Sequence, residues 1–270
     1  MRMGSFYDVV MGRKSVRTYD GKGLTPADLA SLKEYAESIT NPWDIKVDWV
    51  FMDAEEFGLS SPVLAGEKLY LAGIVDKVPY SDVAFGYSLE QLVIYAWSLG
   101  IGTVWIGGTM KRSHFEESAG LTEGRRMPCI TPLGYPAAKR SIKETMMRKG
   151  VKADSRKPLS ELFFDGDFDK PLEESGSIRR AMEMVRWAPS AVNKQPWRII
   201  RKDGRYHFYE KMDKGYVGDE GGDMQKIAIG IALYHFVAAL KEEGMAAEVV
   251  TEDPGIAVPE GMEYIATAVL

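Results

Sequence analysis

The sequence predicts an α+β protein made of two similar halves. Each half shows a helix, a loop, a Pro-Trp pair (Pro42-Trp43 and Pro196-Trp197) and then a strand. Each half also has a long apolar helix ending at a glycine: Leu89 to Leu99 with Gly100, and Met224 to Lys241 with Gly244. The prolines are 154 residues apart (196 − 42) and the glycines 144 (244 − 100). These intervals favour an internal duplication, although two α/β units could share this order by chance.

The composition indicates a globular protein that is poorly suited to bind nucleic acid. The 270 residues are 45% hydrophobic, enough for a substantial core, and carry a formal net charge of −5. An acidic chain without a basic block lacks the cations that contact phosphates. The single cysteine, Cys129, excludes an internal disulfide and thiolate zinc sites. The scattered histidines predict no metal site, and the lack of an apolar leader predicts a cytoplasmic location.

In the first half, a helix is predicted to begin at Thr25-Pro26, because threonine can cap a helix and proline suits its first position. This helix ends before Asn41. From Ile45 to Phe51, apolar and polar residues then alternate as they do in a strand.

The stretch Gln91 to Met110 contains no charged residue and is long enough to span a bilayer. Its four glycines argue against one continuous helix. We therefore predict a buried helix that ends at Gly100, a strand from Thr103 to Ile106, a glycine turn and no membrane span.

In the second half, Ser177 is predicted to cap a helix that stops at Ala188-Pro189. Two strands should follow, Arg198 to Lys202 and Arg205 to Tyr209, joined by a turn at Asp203-Gly204.

Between the halves, the charged segment Lys143 to Glu174 is predicted to be an extended crossing arm. Its apolar residues Leu162, Phe163 and Phe164 should dock on the body, since a solvated linker would not usually carry them together. The predicted halves are residues 1–165, including the arm, and residues 166–270, packed as one unit.

A cationic segment, Arg13-Lys14-Ser15-Val16-Arg17, follows a predicted short helix. The planar guanidinium of arginine can donate two parallel hydrogen bonds to phosphate oxygens, and a serine adds a further donor. The segment is therefore a candidate phosphate site. A solvated basic turn is the simpler interpretation of this pattern when it is considered alone.

A proline-bounded loop from Ala188 to Trp197 concentrates a hydroxyl and two amides, at Ser190, Asn193 and Gln195. Prolines stiffen such a loop, small residues let backbone approach a flat ligand, and amides can bind the edge of a heterocycle. A helix stop with local turn formers is the alternative.

Two further segments are rich in glycine or proline. Gly100 to Gly108 exposes backbone N–H groups, although tight helix–strand packing explains it as well. Pro132 to Arg140 follows a strand and ends in two cations, which also fits an exposed basic turn. The sequence shows no Walker loop, GxSxG motif or histidine-based triad, so we name no catalytic residue and expect a cofactor to supply the chemistry.

Together, the four segments resemble the nitroreductase family of flavin proteins. The matching residues are Arg13 to Arg17, Trp105-Ile106-Gly107-Gly108, Leu133-Gly134-Tyr135-Pro136 and Ala188 to Trp197. The cationic segment lies in the first half and the amide loop in the second, and each half lacks the other motif. This resembles the subgroup in which two family units are fused in one chain. The resemblance implies a nitroreductase-like fold, with mixed β-sheets flanked by helices, as an internally duplicated pseudo-dimer.

The resemblance also implies one FMN per chain. It assigns the FMN phosphate and ribityl chain to the residues of the cationic segment, which are Arg13, Lys14, Ser15 and Arg17. It assigns a supporting cation to Arg140, with Lys139 nearby. It places Pro189, Ser190 and Asn193 along the isoalloxazine, with Gln195 supporting their loop, and the backbone of Ile106, Gly107 and Gly108 on one side of the cofactor.

The implied function is an FMN-dependent oxidoreductase that takes hydride from NADH or NADPH at flavin N5. The acceptor would be a small molecule, a nitroaromatic or a quinone. The alternatives are a flavin-binding sensor or carrier without turnover and an interaction protein with a decayed pocket. A pseudo-dimer is its own partner, so we expect a monomer or a weak homodimer, with no nucleic-acid or membrane partner.

Overall fold

The computed structural model describes residues 4–270. Within them are seven α-helices and eleven β-strands. The helices are α1 (Phe6–Gly12), α2 (Pro26–Ser38), α3 (Ser81–Ser98), α4 (Arg112–Ser118), α5 (Ile142–Gly150), α6 (Gly176–Trp187) and α7 (Met224–Glu242). The strands are β1 (Asp48–Asp53), β2 (Leu69–Asp76), β3 (Arg125–Arg126), β4 (Ile130–Leu133), β5 (Phe163–Asp165), β6 (Trp197–Lys202), β7 (Arg205–Lys211), β8 (Val217–Gly218), β9 (Gly222–Asp223), β10 (Glu248–Val250) and β11 (Met262–Val269).

Two sheets and one small hairpin hold these strands, which confirms the α+β prediction with mixed sheets. In the first sheet, β2 pairs antiparallel with β1 on one edge and with β3 and β4 on the other. The second sheet has the order β10-β11-β7-β6-β5, and only the β5–β6 pair is parallel. Strands β8 and β9 form a separate hairpin.

The long helices α3 and α7 cross between the two halves at a pair of glycines. A Cβ on Gly86 would lie 2.0 Å from the Ile227 carbonyl oxygen, and one on Gly230 would lie 1.9 Å from the Val83 oxygen. The contact is reciprocal, because 230 − 86 and 227 − 83 are both 144. This is the interval that separates the glycines at the helix ends, and it gives the crossing the local symmetry of a dimer within one chain.

Several predicted elements are confirmed. The Thr25 hydroxyl accepts the Asp28 N–H at 3.1 Å and caps α2, and α7 spans nearly the predicted range. Strands β6 and β7 flank the predicted turn, where Asp203 and Gly204 both have positive φ. In residues 4–270, no helix has both the length and the apolar content to cross a membrane.

Two strands predicted in the first half differ from the structure: one starts later and the other does not form. The first begins at Asp48 rather than at Ile45, because Asn41 binds both backbone groups of Ile45: its Nδ2 donates to the carbonyl at 2.6 Å and its Oδ1 accepts the N–H at 3.3 Å. Between Thr103 and Ile106 no strand forms. These two residues make single bridges to different partners, Ser15 and Ile130, so no continuous ladder is possible.

The predicted cap at Ser177 and the extended arm are also corrected. Ser175 precedes α6, and Ser177 lies inside its first turn, where its hydroxyl donates to Glu243 at 2.8 Å. The arm contains α5 and β5 and is not extended. Its docking is confirmed, since Leu162 and Phe163 are fully buried. The boundary at residue 165 stays a prediction.

Candidate functional site

The cationic segment runs from the end of α1 along the edge of the body. The Arg13 N–H closes α1 by donating to Val9 O at 2.9 Å. The Val16 N–H then donates to Thr103 O at 2.9 Å, and Ser15 forms a parallel bridge with Thr103. Gly102 allows this close approach, because a Cβ there would lie 2.8 Å from the Val16 side chain.

The proline-containing segment after β4 joins the same edge. The Gly102 N–H donates to Gly134 O at 2.8 Å, and the Asp20 N–H donates to Tyr135 O at 3.0 Å. Tyr19 forms an antiparallel bridge with Pro136. Three of the four predicted segments therefore meet through backbone hydrogen bonds, although up to 120 residues separate them in sequence.

The far end of the glycine segment lies against the second half. Ile106 exchanges two backbone hydrogen bonds with Ile130, each 2.9 Å long. A Cβ on Gly107 would lie 3.1 Å from the Met224 methyl group, whereas Gly108 faces open space. Arg112 donates to the carbonyls of Gly107, at 2.8 Å, and of Met127 and Pro128, and this fixes the turn.

Four arginines form a cluster: Arg13 and Arg17 of the cationic segment, and Arg148 and Arg156 of the arm. Burial lowers the pKa of Arg13, and the neighbouring charge of Arg148 lowers it further. Burial also lowers the pKa of Arg17, again with a contribution from Arg148. Burial and the charge of Arg13 are the main causes that lower the pKa of Arg156 to about 10. These directions show guanidinium groups that repel one another and have lost part of their hydration.

Three carboxylates only partly offset this positive charge. Arg148 pairs with Asp154, and Glu90 raises the pKa of Arg13. Glu144 is buried; one of its oxygens accepts the backbone N–H of Arg17 at 3.3 Å, and the other lies 3.6 Å from Arg140 Nε. Among the described residues, nothing accepts a hydrogen bond from the buried Arg13 Nη1 or Arg156 Nε.

The remaining predicted cations are more exposed. Lys14, Lys139 and Arg140 have exposed side chains, and Arg140 reaches the cluster through its ion pair with Glu144. Ser15 is half-buried beside Thr103.

The amide loop is strained and braced from within. Val192, Asn193 and Gln195 have φ values of 50°, 58° and 51°, in the left-handed region that branched side chains avoid. The Ser190 hydroxyl accepts the Gln195 N–H at 2.9 Å. The buried Gln195 side chain accepts the Lys157 N–H at 2.9 Å, so Gln195 supports the loop. Pro189 lies two residues after the end of α6 and is half-buried.

The arm joins this loop to the arginine cluster. Asn193 Nδ2 donates to the carbonyls of Lys152 and Ser155 at 2.9 and 3.0 Å. Arg156 Nη1 lies 3.4 Å from Asn193 Oδ1, and its guanidinium stacks 4.8 Å from the Trp187 ring. Arg156 thus contacts the loop and also lies close enough to Arg13 for their positive charges to repel each other.

A fully buried hydrogen-bonded pair lies behind the cluster. His235 Nε2 and Glu90 Oε1 are 2.9 Å apart, and the second Glu90 oxygen accepts the Trp105 indole N–H at 3.0 Å. His235 Nδ1 lies 2.9 Å from Met184 O, and because a carbonyl only accepts, Nδ1 carries a proton. Glu90 and Nε2 therefore share one proton between α3 and α7.

These residues fit the phosphate end of FMN. A phosphate dianion presents several acceptor oxygens, and the site offers guanidinium donors, of which the buried Arg13 Nη1 and Arg156 Nε have no acceptor in residues 4–270. A bound dianion would also relieve the repulsion among the arginines. The strained loop, held by Asn193 and Gln195, supplies a rigid edge of the kind that planar ligands occupy.

The comparisons with known proteins identify the family. The family model described as "Putative TM nitroreductase" matches residues 5–240. The chain belongs to this family. The nitroreductase name denotes an oxidoreductase, and this role applies to the chain. No curated protein matches it in a sequence search.

Solved structures share the fold of the chain. A crystal structure described as a "putative nitroreductase" from Thermotoga maritima is 20% identical, with a TM-score of 0.66, and the match covers 100% of this chain and 95% of that one. A structure described as an oxidoreductase containing FMN is 14% identical, with a TM-score of 0.51, and the match covers 60% of this chain and 92% of that one. The second protein corresponds to little more than half of this nitroreductase-family chain.

Sequence reasoning missed five residues of this site: Arg148, Arg156, Glu144, Glu90 and His235. The signals for some of them were present. Glu90 and His235 are isolated ionisable residues in long apolar helices, which is where a buried partner is required. Ser141 and Glu144 have the spacing of a capping box, which predicts the start of α5.

Proposed function

We propose that this nitroreductase-family chain is an FMN-dependent NAD(P)H oxidoreductase that reduces a small acceptor such as a nitroaromatic or quinone. The observation that carries the proposal is the arginine cluster, joined by Arg156 to the strained amide loop, in which the buried Arg13 Nη1 has no acceptor among the described residues. FMN supplies the ability to accept a hydride and pass on electrons when it is bound. Related structures described as FMN-dependent or FMN-containing support this cofactor.

The residues of the chain bind and orient in this proposal. Arg13 and Arg17 would hold the phosphate, with Ser15 beside the ribityl chain, and Arg140 acts through Glu144 at the rim. Asn193 and the neighbouring Pro189 and Ser190 would face the ring, and Gln195 would keep the loop in place. Ile106, Gly107 and Gly108 would close one side with backbone.

The strained loop, which its own hydrogen bonds brace, and the packing of α3 on α7 hold the binding residues in place. FMN binding therefore needs little reorganisation of the protein. We assign no acid or base to the reaction. We also propose one FMN per chain and a cytoplasmic monomer or weak homodimer.

The test is a visible spectrum of the purified protein, followed by anaerobic addition of NADH or NADPH. We expect a yellow protein that either nucleotide bleaches and an added quinone restores. A protein that neither contains nor takes up FMN refutes the proposal, and a yellow protein that is not bleached favours a sensor or carrier.

The arginine assignment is tested by Arg17→Ala, with Lys22→Ala as a control on the exposed turn nearby. Loss of a charge-assisted hydrogen bond should weaken FMN binding by about 1.5–3 kcal/mol. Riboflavin lacks the phosphate, so its affinity should change little. Equal FMN affinities of wild type and Arg17→Ala would remove Arg17 from the site.

A further inference from the structure

A cationic cavity opens on the outer side of the arm, next to the site described above. Its volume is about 420 Å³, and Arg140, Arg148, Lys149 and Lys152 line it. Asp154 is the acidic residue in this lining, and Thr145 and Ser155 add hydroxyl groups. The cavity thus combines four cations, one carboxylate and neutral hydrogen-bond donors, which are suitable ligands for phosphate.

The helix end explains only part of this charge. Arg148 and Lys149 lie in the last turn of α5, where cations are favoured by the helix dipole. Arg140 precedes α5 and Lys152 follows it, so the dipole does not account for either of them. Lys149 and Lys152 are exposed, and no carboxylate lies within ion-pair distance of either ammonium group among the described residues.

The positive charge exceeds what one flavin phosphate would neutralise. Together, the cavity and the cluster hold seven cations, and these are Arg13, Arg17, Arg140, Arg148, Lys149, Lys152 and Arg156. Glu90 shares a proton with His235 and adds no net charge, so Glu144 and Asp154 supply two negative charges, and an FMN phosphate would add about two more. About three positive charges remain in the cluster and the cavity.

The cavity is also joined to the proposed ring-binding loop. Lys152 and Ser155 line the cavity, and their backbone carbonyls accept hydrogen bonds from Asn193 Nδ2 at 2.9 and 3.0 Å. A ligand with its phosphate in the cavity would therefore lie beside the amide loop. A pyridine nucleotide fits this placement, because its redox ring and its adenosine phosphates are at opposite ends.

We propose that the cavity binds the 2′-phosphate of NADPH and that the chain selects NADPH over NADH. The inference rests on the proposed function, because it names the reductant of that same site. The 2′-phosphate carries about two negative charges, which would neutralise most of the unmatched positive charge, and the exposed Lys149 and Lys152 provide ammonium groups that can reach it.

The test is calorimetric titration of the whole protein with adenosine 2′,5′-bisphosphate and with adenosine 5′-monophosphate. The bisphosphate should bind at least tenfold more tightly, and its affinity should fall with added salt, because the lysines are exposed. The Lys149→Ala/Lys152→Ala double variant should bind the bisphosphate at least tenfold more weakly and the monophosphate nearly as well as wild type.

Lys143→Ala is the matched control, because Lys143 lies on the same helix but donates to Pro62 O at 2.6 Å outside the cavity. It should bind the bisphosphate as wild type does. Equal affinities for the two nucleotides, or an unchanged double variant, would overturn the proposal. A double variant that loses FMN but not riboflavin would also overturn it, because the cavity would then serve the flavin phosphate.

The two proposals fail in different ways. The titration measures the cavity whether or not flavin is bound. Absence of FMN or of bleaching refutes the proposed function, whereas equal binding of the two adenosine nucleotides by a flavin-loaded, NAD(P)H-reducible protein refutes this inference alone.

Discussion

The reciprocal glycine contact between α3 and α7 makes a prediction about stability. In Gly230→Ala, the new methyl group would lie 1.9 Å from Val83 O and 2.8 Å from Tyr87 N. Ordinary contact begins near 3.4 Å, so the helices must separate by about 1.5 Å at the crossing. Both obstacles are backbone atoms of a buried helix, which no change of rotamer can move aside.

Two opposing effects set the size of the change. Alanine favours a helix over glycine by about 1 kcal/mol, whereas overpacking of a core costs about 1–3 kcal/mol and sometimes more. Because separating the helices also loosens the core around them, we expect a net loss of at least about 2 kcal/mol in the free energy of unfolding. The melting temperature should fall by roughly 4–8 °C.

The assay is urea unfolding followed by circular dichroism. Gly86→Ala should behave alike, since its methyl group would lie 2.0 Å from Ile227 O. Gly150→Ala is the control, because Gly150 ends α5 and has nothing within 4 Å of the added carbon. A Gly230→Ala protein that unfolds at the same urea concentration as wild type would refute the close crossing and the symmetry inferred from it.

Further predictions concern strain and buried charge. Val192→Asn should raise the free energy of unfolding by about 1 kcal/mol, because asparagine tolerates the left-handed backbone there. A lower free energy of unfolding in urea titration would contradict this. Burial and the nearby Asp223 raise the pKa of Glu210 from 4.5 to about 7. Between these pH values the folded protein therefore keeps a proton on Glu210 that the unfolded chain has released. Stability should therefore decline on the order of 2 kcal/mol as pH rises from about 5 to 7, and Glu210→Gln should remove that slope in unfolding measured across this range. Glu90→Leu should leave the Trp105 indole N–H and the buried His235 Nε2 without a partner, which should cost about 1–3 kcal/mol in urea unfolding. Glu90→Gln keeps an acceptor for Trp105 and a donor for His235 and should cost less, so equal costs of the two variants would contradict this role of Glu90.

Local patterns predicted the elements whose determinants are local. The Thr25 cap, the Asp203-Gly204 turn and the long apolar run of α7 each depend on neighbouring residues, and each is found near its predicted position. The start of β1 depends instead on the Asn41 side chain, which turns the backbone at Ile45. No alternation of polar and apolar residues reveals such a contact.

The site was predictable in its parts but not in its assembly. The cationic segment and the amide loop were recognisable by residue type, whereas their connection runs through Arg156, on an arm predicted to be extended. Glu144 was missed for a related reason. It occupies a helix-capping position, yet its carboxylate also accepts from the backbone of Arg17, 127 residues away. Long-range contacts of this kind leave no periodic pattern in the sequence.

The local symmetry of the α3–α7 crossing does not extend to the loops, and for this reason we expect one flavin site per chain rather than two. When the halves are aligned on their Pro-Trp pairs (196 − 42 = 154), the end of α2 at Ser38 corresponds to Val192. The first half is therefore still helical at the position of Val192, whereas Asn193 and Gln195 correspond to Ile39 and Asn41, which follow α2. The Asn41 side chain binds Ile45 and Ser88 within its own half, whereas the Gln195 side chain binds Lys157 of the arm. A helical residue at the position of Val192 cannot make the left-handed turn that shapes the amide loop, so we expect the ring to bind at the loop of the second half.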